Sequence, residues 1–156
     1  MITFNNIGYS GRLGNQLFQL AALLGTSNKN NYVPSIPIEK NKKEKPNGCL
    51  DLFTNKWIGF KLELFNCFDI DIHDNNDINV KNSYKEPHFH FDENIFNIKD
   101  DTNIDGFFQS ELYFKHIEND VIWFRITLSD AKNTNYQIPN NNSMFLLKTY
   151  FAIKYK

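Results

Sequence analysis

The stretch Gly11-Arg12-Leu13-Gly14-Asn15-Gln16 holds the densest set of ligand-capable groups in the sequence. Glycines between a strand and a helix let the backbone come close to a ligand. The free N–H groups of a helix start then favour an anion such as a diphosphate. Arg12 adds a positive charge, and Asn15 and Gln16 add neutral donors. By spacing alone, the plainer reading is a tight turn with no ligand. Gly8, Gly11 and Gly14 are spaced by three. That matches neither a phosphate-cradling loop ending in Gly-Lys-Ser/Thr nor a full dinucleotide fingerprint, which argues against a nicotinamide enzyme.

Other groupings invite chemistry less strongly. His88, His90 and Asp92 would share one face of a strand and could ligate a divalent metal. A half-exposed polar strand explains the trio too, and with no fourth ligand in view no metal is expected. Glu111 could deprotonate a hydroxyl if burial raised its pKa, making it the one candidate general base, with the catalytic residues otherwise unassigned. Its plainer role is a first-turn carboxylate facing the positive end of a helix. Phe107, Phe108, Tyr113 and Phe114 could stack on a sugar ring, yet their spacing suits a core. Lys40, Lys42, Lys43 and Lys45 alternate with Glu39 and Glu44 in a solvated loop. Cys49 and Cys67 lack metal-ligand spacing and read as reduced thiols, which suits a cytoplasmic protein.

The elements that must position these groups follow from the apolar pattern. Ile2 to Tyr9 predicts a strand, and Ser10 to Gly14 breaks it. Leu17, Phe18, Ala21, Ala22 and Leu24 predict a helix capped by Asn15 and stopped by Gly25. Tyr32 to Ile38 predicts an edge or irregular strand because of Pro34 and Pro37. Glu39 to Gly48 reads as an exposed loop, Phe65 to Ile70 as a strand, and His73 to Lys85 as a loop. Ile104 to Phe108 predicts a strand. Ser110 then caps a helix striped by Phe114, Ile117, Val121, Phe124 and Leu128. Asn133 to Ser143 is a polar connector, and Met144 to Tyr155 is apolar and aromatic.

With 156 residues, 41% hydrophobic and 15% aromatic, the chain has material for a core. A net charge of −1 excludes a strongly basic nucleic-acid binder. No apolar run reaches the roughly 18 residues of a spanning helix, and Met1 to Tyr9 shows no secretory signal. The expected fold is α/β, an open, mostly parallel Rossmann-like sheet flanked by helices.

The run Gly11 to Gln19 (Gly-Arg-Leu-Gly-Asn-Gln-Leu-Phe-Gln) resembles the N-terminal signature of glycosyltransferase family 11, the α-1,2-fucosyltransferases. Gly106 to Phe114 resembles that family's aromatic-Gln-Ser-Glu-x-Tyr-Phe segment, and Glu86 to Asp92 resembles its Glu-Pro-x-aromatic run. The likeness spans Ile2 to about Arg125, the first half of a family member. It implies the N-terminal lobe of a two-lobed, GT-B-like, inverting and metal-independent enzyme. Such an enzyme moves L-fucose from GDP-fucose to a galactoside hydroxyl. Carried over, Gly11, Arg12, Gly14, Asn15 and Gln16 would line the donor-facing cleft. Gln109, Ser110 and Glu111 would sit on the acceptor side at the C-terminal end of a strand.

The family's donor-binding string, His-x-Arg-x-Gly-Asp-Tyr, does not follow the second block. All four histidines precede Arg125, the last arginine, and no Arg-Gly or Gly-Asp pair follows Leu128. The expected organisation is therefore a lobe over residues 1–128 and a divergent tail over 129–156, as a truncation or frame change near Ile126 would produce. The expected activity is a fucosyltransferase that is weak or inactive alone. A non-catalytic glycan-binding module, a split subunit completed by a separate donor-lobe chain, or a remnant are the rivals. No cofactor and no nucleic-acid partner are expected. Family members often modify envelope glycans, which would suit peripheral work at the cytoplasmic membrane surface.

Overall fold

The computed structural model describes residues 1–43, 46–51, 54–67, 70–76, 79–117, 121–122 and 152–153. The chain divides into two compact units, Met1–Ile117 and Glu118–Lys156. This division falls before the boundary that the change of sequence texture suggests.

The first unit runs β1 (Ile2–Thr3), α1 (Leu13–Asn30), β2 (Pro34–Ile36), α2 (Ile38–Lys42), β3 (Gly48–Asp51), β4 (Lys56–Gly59) and α3 (Leu64–Cys67). It continues with β5 (His73–Asp74), β6 (Asn82–Lys85) and β7 (Thr102–Asp105). Short 3-10 turns occupy Glu93–Asn97, Glu111–Tyr113 and Lys115–Ile117. Five strands form a parallel sheet in the order β5-β2-β1-β7-β6, with β3 and β4 as a separate antiparallel hairpin. The result is an α/β, Rossmann-like arrangement flanked by helices. In the second unit, β8 (Val121–Ile122) pairs antiparallel with β9 (Ala152–Ile153). No helix among the described residues is long and apolar enough to cross a membrane.

The core gathers Ile2, Phe4, Ile7, Leu20, Leu23, Leu24, Ile36, Ile95 and Ile104, all essentially without solvent contact. Burying each leucine or isoleucine contributes about 1.5–3 kcal/mol. Helix α1 is buried continuously from Gln19 to Ser27, wider than the predicted stripe. It packs against β1 and β2 and also against the turns at 93–97 and 111–117. Small residues make that second approach possible. At Gly25 the Tyr113 carbonyl oxygen and Phe114 Cα lie where a Cβ would be. His116 Nε2 also lies 2.9 Å from the Gly25 carbonyl.

Several expected elements differ. Helix α1 begins after an uncapped Arg12, so Asn15 lies in the first turn and is no cap. Gly25 does not stop it, because Asn31 takes the left-handed C-cap conformation that Asn tolerates. The first strand is shorter than Ile2 to Tyr9. Strand β2 is interior, its Pro34 tolerated as the first residue. Helix α2 replaces part of the Glu39–Gly48 loop because Asp74 and Asn76, remote in sequence, accept from Ile38 N (3.1 Å) and Lys40 N (3.4 Å). Lys45 of the basic loop lies outside the described residues. The predicted strand at 65–70 is helical at Leu64–Cys67. The supposed loop 73–85 supplies both edge strands, whose polar, exposed residues give no apolar alternation.

The helix predicted from Glu111 is two 3-10 turns broken at Phe114, and Val121–Ile122 is a strand. Tyr113 and Phe114 are drawn to different partners, Phe108 and Phe18 respectively, which one regular helix would not satisfy. Phe124, Leu128 and the 133–143 connector lie outside the described residues.

Gly25→Ala opposes two effects. Alanine gains up to about 1 kcal/mol of helix propensity, but the overlap with a backbone carbonyl costs more. We expect a net loss of about 2 kcal/mol, the range of overpacking changes, measured as a lower urea midpoint with an unchanged slope.

Candidate functional site

Because the sheet is parallel, the segments leaving β1, β6 and β7 all emerge at its C-terminal edge. β1 and β7 are neighbours in the middle, with β2 and β5 on one side and β6 on the other. The strand order reverses there, and such a switch point opens a crevice in an α/β sheet. Two side chains of α1 bridge it. Asn15 Oδ1 accepts from Gln109 Nε2 at 2.9 Å, and Gln19 Nε2 donates to the Gly106 carbonyl at 2.9 Å.

The glycine loop is built around Asn15. Gly11 has φ +105°, and a Cβ there would overlap the Asn15 amide. Only glycine both adopts that conformation freely and leaves room for the amide. Gly14 is exposed, and a Cβ added there meets nothing within 4 Å. Gln16 is fully buried, with Nε2 donating to Lys61 O (2.8 Å) and Oε1 accepting from Glu63 N (2.8 Å). Its amide thus holds segment 61–63 against the loop. Arg12 Nε lies 3.8 Å from Glu63 Oε2, and Nη1 lies 3.9 Å from Cys49 Sγ. The α1 N-terminus has no side-chain cap and no acid in its first turn. It therefore keeps the partial positive charge of a helix start, while Glu63 offsets part of the Arg12 charge.

Glu86 holds the opposite rim. Its Oε2 accepts from Phe107 N (2.8 Å) and Phe108 N (2.9 Å), and its Oε1 lies 3.1 Å from the Tyr113 hydroxyl. Phe108 is fully buried in the left-handed region at φ +52°. Non-glycine residues there carry about 1–3 kcal/mol of strain, offset by the Glu86 bonds and by edge-on packing with Phe4 (5.8 Å) and Tyr113 (5.2 Å). Tyr113 Oη also accepts from Asp92 N (3.1 Å) and faces His90 O (3.1 Å). Tyr84 donates to Asp92 Oδ2 at 2.7 Å.

These contacts move the titrations. Burial first, then the Glu86 and Asp92 charges, push Tyr113 up to about 12, although the Asp92 N–H opposes the rise. Burial raises Tyr84 as well, followed by its bond to Asp92. The Tyr84 hydroxyl, then the Asn94 N–H, hold Asp92 below the ordinary carboxylate value.

Gln109 is exposed, and Ser110 caps its turn by accepting from Leu112 N at 3.4 Å, as its type predicts. The Glu111 side chain is 71% exposed and 3.7 Å from Lys115. It lacks the burial that a general base would require. His88 and His90 lie on an exposed bend, the first ring 3.1 Å from the carbonyl of the second, and Asp92 is turned to Tyr84. Among the described residues no group of three or more His, Cys, Asp or Glu could hold a metal ion. Sequence reasoning missed the Glu86–Tyr113 clasp, whose one visible signal was the Glu-Pro run.

The raised Tyr113 pKa makes stability pH-dependent. The unfolded phenol ionises near 10.0 and the folded one near 12, so its contribution is complete below pH 10 and lost as pH rises toward 12. We expect Tyr113→Phe to lose less stability than the natural chain between pH 10 and 12, followed by urea midpoints. Phenolate absorbance should show the corresponding late titration vanish. Compared with protein-family models, with curated proteins and with solved structures, the chain finds no match.

Proposed function

We propose that the unit Met1–Ile117 is the acceptor-side lobe of an α-1,2-fucosyltransferase of glycosyltransferase family 11. The observation that carries this is the Asn15–Gln109 hydrogen bond. It joins the two motif blocks that resemble the family, 94 residues apart, at the switch point of a parallel sheet. In the proposed reaction a galactoside oxygen forms a bond to the anomeric carbon of fucose. The bond to GDP breaks with its electron pair on phosphate, and the acceptor proton passes to a base. No metal takes part. The Gly11–Gly14 loop and the α1 N-terminus face the nucleotide, while Gln109 and Ser110 face the acceptor.

Stabilising the leaving charge is usually the largest catalytic contribution. Here Arg12 shares its charge with Glu63, and the His-x-Arg-x-Gly-Asp-Tyr string is not in these 156 residues. Turnover therefore needs a donor lobe from further sequence or a second chain. A cytoplasmic place at the membrane surface goes with this function. The Arg12–Glu63 pair also favours a second reading, a galactoside-binding module that never engages GDP-fucose.

Calorimetry and a transfer assay on the purified chain separate these. We expect galactoside binding, no transfer alone, and transfer once a family member's donor lobe is added. Asn15→Ala should weaken ligand binding about tenfold, the scale of one lost polar contact. Galactoside binding with no GDP-fucose binding even after that addition supports the module. Binding of neither ligand overturns both, and transfer by the chain alone overturns the need for a donor lobe.

A further inference from the structure

Phe89, in the bend between Glu86 and Asp92, is 70% exposed, more than the other large apolar side chains among the described residues. Both flanks of that bend are anchored. Glu86 is tied to the 106–108 turn, His88 Nδ1 lies 3.1 Å from His90 O, and the Tyr113 hydroxyl meets His90 O at 3.1 Å. Phe91, two residues on, packs its ring 5.0 Å from Tyr113. Phe89 is thus held out from anchored neighbours, and it is paired. Its ring centroid lies 5.6 Å from that of Phe107, tilted by 40°. The Phe107 backbone N–H is fixed by Glu86, two residues before Gln109.

Two rings, one only partly exposed, present far less than the roughly 800 Å² per partner that a stable protein interface buries. The size suits one small ring. His88, His90 and Gln109, all exposed, flank the pair in sequence and bring polar groups to the same stretch of chain. A flat nucleobase could lie on only one of two rings inclined at 40°. A puckered pyranose offers axial C–H groups that can meet both, and the negative face of each ring attracts them.

We propose that Phe89 and Phe107 form a stacking platform for the apolar face of the acceptor galactoside. The proposal rests on the fucosyltransferase reading and adds to it the place where the acceptor ring sits. Phe89 is not needed for the fold, since most of it lies in water.

The test measures methyl β-D-galactopyranoside and GDP affinities of the whole chain, natural and Phe89→Ala, by ligand-observed NMR and calorimetry. We expect the galactoside to bind at least about tenfold more weakly to Phe89→Ala, the scale of one aromatic contact. Phe89→Trp should restore it, and GDP affinity should not change. Galactoside binding that Phe89→Ala leaves intact overturns the platform but not the proposed function. Loss of GDP instead also overturns it, placing guanine on the rings. A natural chain that binds GDP but no galactoside sinks the platform alone, and one that binds neither sinks the proposed function with it.

Discussion

The carboxylate of Glu86 receives the N–H groups of Phe107 and Phe108 and faces the hydroxyl of Tyr113. Those bonds tie the segment leaving β6 to the one leaving β7. They hold Phe108 in a strained conformation and carry Gln109 to the edge where Asn15 waits. A charged acceptor makes stronger hydrogen bonds than a neutral one, which suits a corner that must hold a left-handed phenylalanine. Removing the carboxylate would leave two buried-side N–H groups without it, and unsatisfied donors cost about 1–3 kcal/mol each.

That corner is supported from below by α1. Its run from Gln19 to Ser27 is enclosed on two sides, by the sheet and by the turns at 93–97 and 111–117. Gly25 admits the Tyr113 carbonyl, Phe18 meets Phe114, and Gln19 reaches the Gly106 carbonyl. The helix that starts at the glycine loop therefore also shapes the opposite rim. Packing and site share one element, so a change in the helix core would be felt at the crevice.

The strand–loop–helix opening, the parallel α/β class and the Ser110 cap were legible because each rests on local pattern. The two edge strands were not, since Asn82 to Lys85 and His73–Asp74 carry polar residues that gain order only from a neighbouring strand. Helix α2 depends on caps that Asp74 and Asn76 bring from another segment. The helix stripe from Phe114 misled because Phe114 answers to Phe18 while its neighbour Tyr113, off the stripe, answers to Phe108 and Phe91. Of the site, residue types in the glycine loop were readable, but not that Gln16 is a buried strut or that Glu111 lies in water. Those outcomes depend on contacts tens of residues away.

A double-mutant cycle on Asn15→Ala and Gln109→Ala, read by urea unfolding of the chain, probes the junction of the two blocks most directly. A direct hydrogen bond predicts a coupling of about 0.5–1 kcal/mol. Strict additivity of the two losses would mean that these side chains do not meet, and that the crevice is not assembled as described.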